Sequence, residues 1–492
     1  MKTSSLSLFH LIQSLSREEK NYILRRAIRY RKGGKNILIR LFHLIEQSST
    51  ENYDEKEIAQ SIPNLSIRKK ELFESILNSL ADREEHLSYV VMFGKIRSAA
   101  LLHYRKMFPE TFALLTEVEQ WALHENQPYL RGVILQYKTL FANIGVQRNI
   151  QVDFDSLGKE MIDNAKTILQ GAEIFHQYLQ ISKLSLQSYL LRSPEQIAAI
   201  TLLSKSAVNS TYIKIHNLTA QSYFYISRML MHKLQADFEA AFTDAENCWT
   251  LMNRMADFSM RRPQEYLTGY ISFVNSCVDL KDWTKCKKLM PAFQKWIEAR
   301  YPENWFVKGK YFYLRLKYHY YRDTIKMDKA LLEESENLYL RKKELFDAET
   351  RRGFEYLLSV AFFDLNDLSK AWDYCQTVIN AKTNAPRREL SEADRLIFLL
   401  ILLESKKYPE LRHQCMQLQK FISTKEKQEY LFDYTLTKHL KNIDARKHAA
   451  EKLVGLRNDL QLISKKKDSN TRHFLHLYDF VGWTERKIAA GE

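Results

Sequence analysis

A basic stretch near the start of the chain has the residue types that bind phosphate. Residues 23–36 read ILRRAIRYRKGGKN, in which six of fourteen positions are Arg or Lys and none is acidic. Clustered guanidinium and ammonium groups neutralise phosphates and are typical of nucleic-acid-binding surfaces. The candidate basic patch consists of Arg25, Arg26, Arg29, Lys32 and Lys35.

The same stretch also fits the polar face of an ordinary helix. Residues 16–19, Ser-Arg-Glu-Glu, match a capping box that starts a helix, and Gly33-Gly34 would end it. Apolar residues recur between them at three- and four-residue steps, which places the arginines on the opposite side. Cations near a helix C-terminus are stabilised by the helix dipole without any ligand. A solvated helix face is the leading interpretation, and a nucleic-acid surface is the alternative.

A second candidate site is the tyrosine-rich stretch YFYLRLKYHYYRD, residues 311–323. On a helix its tyrosines form two neighbouring stripes with cations between them. Aromatic and basic groups on the inner surface of a helical array would bind an acidic or extended peptide. The candidate partner-binding residues are Tyr311, Tyr313, Arg315, Lys317, Tyr318 and Tyr320. The alternative is that the tyrosines pack between helices and only their hydroxyls reach water.

The histidines and cysteines do not indicate a metal site. His473 and His476 could share a metal on a helix, but no third ligand accompanies them, so a surface pair is expected. The five cysteines form no C-x-x-C pair, which fits reduced thiols in a cytoplasm. Cys277 and Cys286 could face one another across a helical hairpin, and both are expected to be small core residues.

Motifs for nucleotide binding or nucleophilic catalysis are also missing from the sequence. Gly34-Lys35-Asn36 lacks the earlier glycine and the hydroxyl of a phosphate-binding loop, and neither G-x-G-x-x-G nor G-x-S-x-G occurs. No residue is assigned a catalytic, cofactor-binding or metal-binding role. We therefore expect a protein that is not an enzyme and carries no cofactor.

The composition indicates an all-α protein. Only 13 Gly and 9 Pro occur among 492 residues, too few for the many turns of a β-rich fold. The longest apolar run, LIFLLILL at residues 396–403, is far shorter than the roughly 18 residues that span a bilayer, so no membrane contact is expected. The formal net charge is +15, of which the first fifty residues hold ten basic against three acidic residues, or +7.

A weak repeat runs through the middle of the chain. Segments such as LQADFEAAF, LKDWTKC and LNDLSKAW share an Asp, a bulky residue and, three positions later, a small one. The bulky anchors are spaced 40–46 residues apart, and some were interpolated to fit that spacing: Phe108, Phe154, Pro194, Phe238, Trp283, Met327, Leu368 and Tyr408. Each anchor predicts the start of the second helix of a hairpin, and stacked hairpins would share one core.

This pattern resembles the tetratricopeptide repeat in a degenerate form, with longer helices than the standard repeat. The resemblance covers roughly residues 90–425 and implies a curved α-solenoid of about eight helical hairpins. The N-terminal pattern LFHLIQSLSREEKNYILRRA is similar to that of uncharacterised bacterial proteins in which it precedes a helical-repeat body. We expect a basic N-terminal helical region at 1–90, repeats at 91–425 and C-terminal capping helices at 426–492.

Two functions are consistent with this organisation. The first is a scaffold or adaptor that binds a protein or peptide partner on the concave face of the solenoid. The second is a regulator whose basic N-terminal region contacts nucleic acid while the repeats sense a partner.

Overall fold

The computed structural model describes most of the chain. The described residues are 7–15, 17–29, 37–48, 53–83, 88–146, 153–191, 193–207, 217–254, 263–298, 303–324, 328–380, 386–425, 429–443, 449–465 and 469–490. Within these ranges there are 24 α-helices, one short 3-10 helix at Lys343–Leu345 and no β-strand. The prediction of an all-α protein is therefore confirmed. No helix in these ranges is both long and apolar enough to cross a membrane.

The helices follow one another with short connections. The first nine are α1 Ser7–Ser14, α2 Arg17–Arg29, α3 Ile37–Gln47, α4 Glu55–Ser61, α5 Leu65–Arg83, α6 Ser88–Tyr104, α7 Phe108–His124, α8 Pro128–Val146 and α9 Phe154–Gln187. The next eight are α10 Pro194–Ala207, α11 Leu218–Leu234, α12 Phe238–Asn253, α13 Pro263–Asp279, α14 Trp283–Glu298, α15 Glu303–Thr324, α16 Lys329–Lys342 and α17 Ala348–Asp364. The last seven are α18 Leu368–Ile379, α19 Arg388–Glu404, α20 Tyr408–Ser423, α21 Leu431–Leu440, α22 Ala449–Ser464, α23 Ser469–Leu477 and α24 Phe480–Ala489.

The chain divides into two compact units. The smaller unit comprises residues 1–125 and 130–159, and the larger comprises residues 126–129 and 160–492. In the smaller unit, one apolar core joins α1, α3 and α5, and a separate core joins α6, α7 and α8. The smaller unit contains the basic stretch of α2, and the larger unit contains most of the predicted repeats and the tyrosine-rich stretch. The boundaries expected at residues 90 and 425 stay predictions.

Most predicted second helices begin at the predicted residue. Seven of the eight anchors are the first residue of a helix: Phe108, Phe154, Pro194, Phe238, Trp283, Leu368 and Tyr408. The eighth, Met327, lies outside the described residues, and α16 begins at Lys329. The small or apolar residue three positions after the anchor is fully buried at Thr111, Ala241, Cys286, Ala371 and Leu411.

Five turns between paired helices share one backbone geometry. Two residues before the second helix, the backbone is left-handed, with φ between 55° and 62°, at Lys106, Ala236, Lys281, Asn366 and Lys406. At the second of these turns, the Ala236 N–H donates to Lys233 O and the Asp237 N–H donates to His232 O, both at 2.9 Å. These two bonds define a Schellman motif, and the equivalent pair occurs at the other four turns. These five segments therefore share their turn geometry as well as their residue types.

In three of these turns an aspartate starts the next helix. The carboxylates of Asp237, Asp282 and Asp367 each accept a hydrogen bond from the backbone N–H three residues later, at 3.0–3.2 Å. This bond satisfies an amide that would otherwise lack a partner at the helix N-terminus. The Asp shared by the sequence segments is thus a helix cap.

Helix pairs pack in chain order within the larger unit. Each turn joins contacting helices, in the pairs α11 with α12, α13 with α14, α15 with α16, α17 with α18, and α19 with α20. The first helices also contact each other in series, α11 with α13, α13 with α15, α15 with α17 and α17 with α19. This neighbour-to-neighbour packing is what stacked hairpins require. An arrangement of eight hairpins in one curved solenoid stays a prediction.

The region between the anchors Phe154 and Pro194 differs from the repeat pattern. Instead of two helices of ten to twenty residues, α9 is a single helix of 34 residues. The helix contains glycines but no turn segment like the LKD and LND of the other repeats. No sequence signal therefore ends it before residue 188. Gly171 of α9 is buried. A Cβ atom at this position would lie 3.4 Å from the side-chain nitrogen of Asn217, which is the N-cap residue of α11.

Candidate functional site

The tyrosine-rich stretch forms most of α15, in the middle of the larger unit. Tyr311, Tyr313 and Tyr318 are only 3%, 8% and 3% exposed, so they lie in the core rather than on a surface. Among the other predicted partner-binding residues, Arg315, Lys317 and Tyr320 are half-buried. For the three buried tyrosines the structure matches the packing alternative.

Helices lie on both sides of α15, so both of its tyrosine stripes are covered at least in part. On the side of α13 and α14, the Tyr313 hydroxyl donates to the Gln294 side chain at 2.9 Å, and the Tyr320 ring lies 6.3 Å from that of Trp283. On the side of α17, the Tyr311 ring packs against that of Phe354 at 4.8 Å. The two stripes predict a helix with two apolar faces. Packing of α13, α14 and α17 against α15 covers both faces.

The C-terminal segment, residues 469–483, contacts the ends of several of these helix pairs. Its first contact is made by Asn470, which is buried and forms two hydrogen bonds with the main chain of Leu191. The Asn470 side chain accepts from the Leu191 N–H at 3.1 Å and donates to the Leu191 oxygen at 3.2 Å. Arg472 then donates a hydrogen bond of 2.7 Å to the main-chain oxygen of Ala236. Ala236 is the left-handed residue of the turn after α11. The His476 ring packs on the Phe238 ring at the start of α12, with centroids 3.8 Å apart.

The same segment continues along the later pairs. Its main-chain oxygen at Leu477 accepts a hydrogen bond from the Tyr356 hydroxyl at 3.1 Å. The Tyr478 hydroxyl donates to Asp364 at the end of α17, at 3.3 Å, and Trp483 Nε1 donates to Glu404 at the end of α19, at 3.0 Å. The C-terminal ends of three first helices, α11, α17 and α19, are therefore contacted by one segment.

A small cavity lies between α15, α17, the start of α19 and the C-terminal segment. Its volume is about 40 Å³, and a wider cleft of about 310 Å³ lies beside it. Arg315, His319 and His476 line both spaces. Hydroxyl and guanidinium groups of α15, α17 and the start of α19 complete the cavity, at Tyr311, Tyr318, Tyr356 and Arg387.

Polar groups at this cavity differ in how well they are paired. Arg387 contacts Glu389 and Glu349, and its guanidinium lies 4.9 Å above the Tyr189 ring. Arg315, by contrast, forms no ion pair within the described residues, and its side-chain hydrogen bond goes to the Asn275 amide oxygen at 3.2 Å. The Tyr311 hydroxyl has no hydrogen-bond partner in the same ranges. The cavity therefore holds hydrogen-bond donors that the protein does not use.

Burial determines the protonation of the ionisable groups around the cavity. Burial lowers the pKa of His319 well below its usual range, and the nearby Arg322 and Arg315 lower it further, so this ring is neutral. Burial likewise lowers the pKa of His476. Burial alone would raise the pKa of Asp279, but the charges of Lys233 and Arg315 outweigh it, so this carboxylate stays ionised. The two histidines contribute neutral donors, whereas Arg315 contributes a full positive charge.

The predicted surface pair His473 and His476 is in fact largely enclosed. His473 is buried against Phe238, and burial lowers its pKa to about 3. The surface prediction rests on the absence of a third metal ligand, which says nothing about burial; in the structure α23 packs against α19, α21 and α22. Among the described residues, no group of three or more His, Cys, Asp or Glu side chains could hold a metal.

The cysteines of the larger unit are core residues, as predicted for Cys277 and Cys286. All five cysteines are free and buried. A hydrogen bond with Cys286 and then burial raise the pKa of the Cys277 thiol far above its usual range. A reactive cysteine needs access to solvent, and both thiols are fully buried, so neither has the setting of a nucleophile.

The basic patch is only partly within the described residues. Helix α2 begins at Arg17, as the capping box predicts, and Arg25 on it is exposed. The predicted helix end at Gly33-Gly34 lies outside the described residues. The side chains of Arg26 and Arg29, and the whole of Lys32 and Lys35, lie outside the described residues. The nucleic-acid interpretation of this patch therefore stays a prediction.

Sequence patterns did not indicate the residues of the C-terminal segment that contact the helix pairs. The hydrogen bonds of Asn470 and Arg472 join residues 279 and 236 positions apart, so no local spacing encodes them. Tyr356, Tyr478 and Trp483 were also not singled out, although Tyr478 and Trp483 lie in a polar and aromatic segment close to the noted histidines. No family model, curated protein or solved structure matches this chain.

Proposed function

We propose that the protein is a non-enzymatic adaptor that binds a protein or peptide partner. In this proposal the helix pairs belong to a degenerate tetratricopeptide-like solenoid, and the partner lies on the concave face formed by the first helices. Arg315, Lys317 and Tyr320 of α15, the half-buried members of the predicted site, contact the partner. Tyr311, Tyr313 and Tyr318 hold that helix in place from the core.

The observation that carries the proposal is the C-terminal segment. This helix-pair array already holds a segment of about fifteen residues of its own chain, through main-chain bonds at Leu191, Ala236 and Leu477 and through buried aromatic contacts. Bonds to the main chain and anchoring aromatic rings are the two means by which helical arrays hold peptides. An array that binds one such segment in cis has the chemistry to bind another in trans.

Affinity capture with matched variants tests this proposal. Full-length protein and the double variant Lys317→Glu with Tyr320→Ala are used as baits in nuclease-treated native extract. The control is Lys329→Glu, because Lys329 is an exposed lysine of α16, the second helix of the same pair, and its side chain is 83% exposed. A partner that is captured by the wild type and the control but lost with the double variant supports the adaptor. Equal capture by all three baits contradicts it.

The exposed Arg25 on α2 supports one alternative, in which the basic N-terminal region contacts nucleic acid and the repeats sense a partner. Three arginines that neutralise phosphates predict an affinity that falls steeply with salt. Titration of duplex and single-stranded DNA with the full chain and with Arg25, Arg26 and Arg29 all changed to Gln tests it. A triple variant that binds as the wild type does, with the same salt dependence, removes this alternative.

A further inference from the structure

The cavity beside α15 has an unusual electrostatic balance for an interior space. The two charged side chains in its described lining, Arg315 and Arg387, are both guanidinium groups, and no carboxylate lines it there. Arg387 is neutralised by Glu389 and Glu349, whereas Arg315 forms no ion pair of its own among the described residues. The carboxylate whose charge it feels, Asp279, lies in the adjoining cleft and is already paired with Lys233 at 2.7 Å. A half-buried charge without an ion pair of its own is costly, because little water solvates it.

Unused hydrogen-bond donors point to the same place. Tyr311 is 3% exposed, yet its hydroxyl makes no hydrogen bond within the described residues; it lies against Gly353, where a Cβ would be 2.6 Å from that oxygen. Nη1 of Arg322, which lines the adjoining cleft, is buried and also has no partner there. Polar groups inside folded proteins are almost always paired, so the hydroxyl of Tyr311, a residue that lines the cavity, is available to donate to an acceptor there.

The size of the space limits what that acceptor can be. A cavity of about 40 Å³ exceeds the roughly 10–15 Å³ that a single water needs, so it has room for about three water-sized atoms. A carboxylate, with three heavy atoms, has this size, whereas a phosphate, with five, would fill the cavity and extend into the adjoining cleft. Both present acceptor oxygens. The adjoining cleft of about 310 Å³ shares Arg315, His319 and His476 with the cavity and could hold the rest of a larger molecule.

We propose that the cavity binds a compact oxyanion, a phosphate group above all, held by Arg315 and the Tyr311 hydroxyl with the rings of His319 and His476 as further donors. The guanidinium forms the charge-assisted bonds, which are the strongest available to such a group. Because the lining comes from α15, α17, the start of α19 and the C-terminal segment, a bound anion ties that segment to the helix pairs. This site shares Arg315 with the proposed partner surface, but Lys317 and Tyr320, which test the adaptor proposal, do not line it. Failure of the anion site would therefore leave the adaptor proposal standing.

Binding is measured by isothermal titration of the full chain with inorganic phosphate and, separately, with O-phosphoserine. Ionic strength is held near 0.15 M with chloride so that general screening stays constant. We expect saturable binding at one site per chain. Tighter binding of the ester than of inorganic phosphate assigns the adjoining cleft to the remainder of a phosphorylated ligand, and similar affinities assign the site to the free anion.

Three variants decide the assignment. Arg315→Gln should weaken phosphate binding by about 10- to 100-fold, the usual effect of losing a charge-assisted hydrogen bond. Tyr311→Phe, which keeps the ring and removes only the hydroxyl, should also weaken it. Lys317→Gln removes a half-buried cation of the same helix that does not line the cavity, and it should bind as the wild type does. Absence of saturable binding to the wild type, or equal affinity for the wild type and both cavity variants, overturns the proposal.

Discussion

A glycine at the left-handed turn position should stabilise the protein. Lys406, between α19 and α20, is exposed and has φ 58°, a conformation that residues with a Cβ avoid. The left-handed conformation costs such a residue roughly 1–2 kcal/mol. Glycine removes that cost, but its greater freedom in the unfolded chain costs roughly 0.5–1 kcal/mol. Lys406→Gly should therefore raise the free energy of unfolding by about 0.5–1 kcal/mol.

The neighbouring lysine provides a matched control. Lys407 is also exposed, but its φ of −85° is ordinary, and its ammonium lies 4.8 Å above the Trp372 ring. Lys407→Gly should destabilise the protein by about 0.5–1 kcal/mol through chain entropy, with a further loss of the cation–π contact. The two variants remove the same charge at adjacent positions and should shift stability in opposite directions.

Denaturation in guanidinium chloride, followed by circular dichroism, measures the two shifts. The midpoint should rise for Lys406→Gly and fall for Lys407→Gly, with no change in the slope of the transition. Equal destabilisation by both variants would refute the left-handed assignment, since glycine would then act only through the unfolded state. Ala236→Gly and Lys281→Gly extend the test to two further turns of the same geometry.

Three further predictions concern packing and pH. Ala371→Leu should cost about 1–3 kcal/mol in denaturation experiments, because its Cβ is fully buried where the second helix begins. Trp483→Ala should cost about 3–5 kcal/mol and remove the indole bond to Glu404. His473 has a pKa lowered to about 3 by burial, so as pH falls below about 6.5 the unfolded state binds its proton first and stability drops. Between about pH 6 and pH 4 this group should lower the unfolding free energy of the wild type by about 1.4 kcal/mol per pH unit. The unfolding free energy of His473→Gln, measured over the same range, should not show this contribution.

Local signals explain which parts of the fold could be predicted. A helix start depends on its cap and on the first buried residues, so Asp237 with Phe238, and Asp367 with Leu368, mark real boundaries. The left-handed turn position could not be predicted in the same way. It is held by Lys, Ala or Asn rather than by Gly, because the two hydrogen bonds of the Schellman motif and the packing of the helices impose it.

Long-range contacts explain what could not be predicted. The tyrosine pattern of α15 is compatible with either an exposed or a buried stripe, and only the position of α13, α14 and α17 shows that Tyr311, Tyr313 and Tyr318 are enclosed. The cavity brings together groups from α15 and from residue 476, which are more than a hundred positions apart. No spacing in the sequence indicates that these groups lie close together.

The adaptor proposal places a partner protein next to α15. A photo-activated cross-linker at position 317 of the full-length protein tests it directly, with the same cross-linker at position 329 of α16 as the control. In nuclease-treated native extract, we expect a discrete cross-linked partner from position 317 and none from position 329. Cross-linking from neither position, or the same products from both, would contradict it.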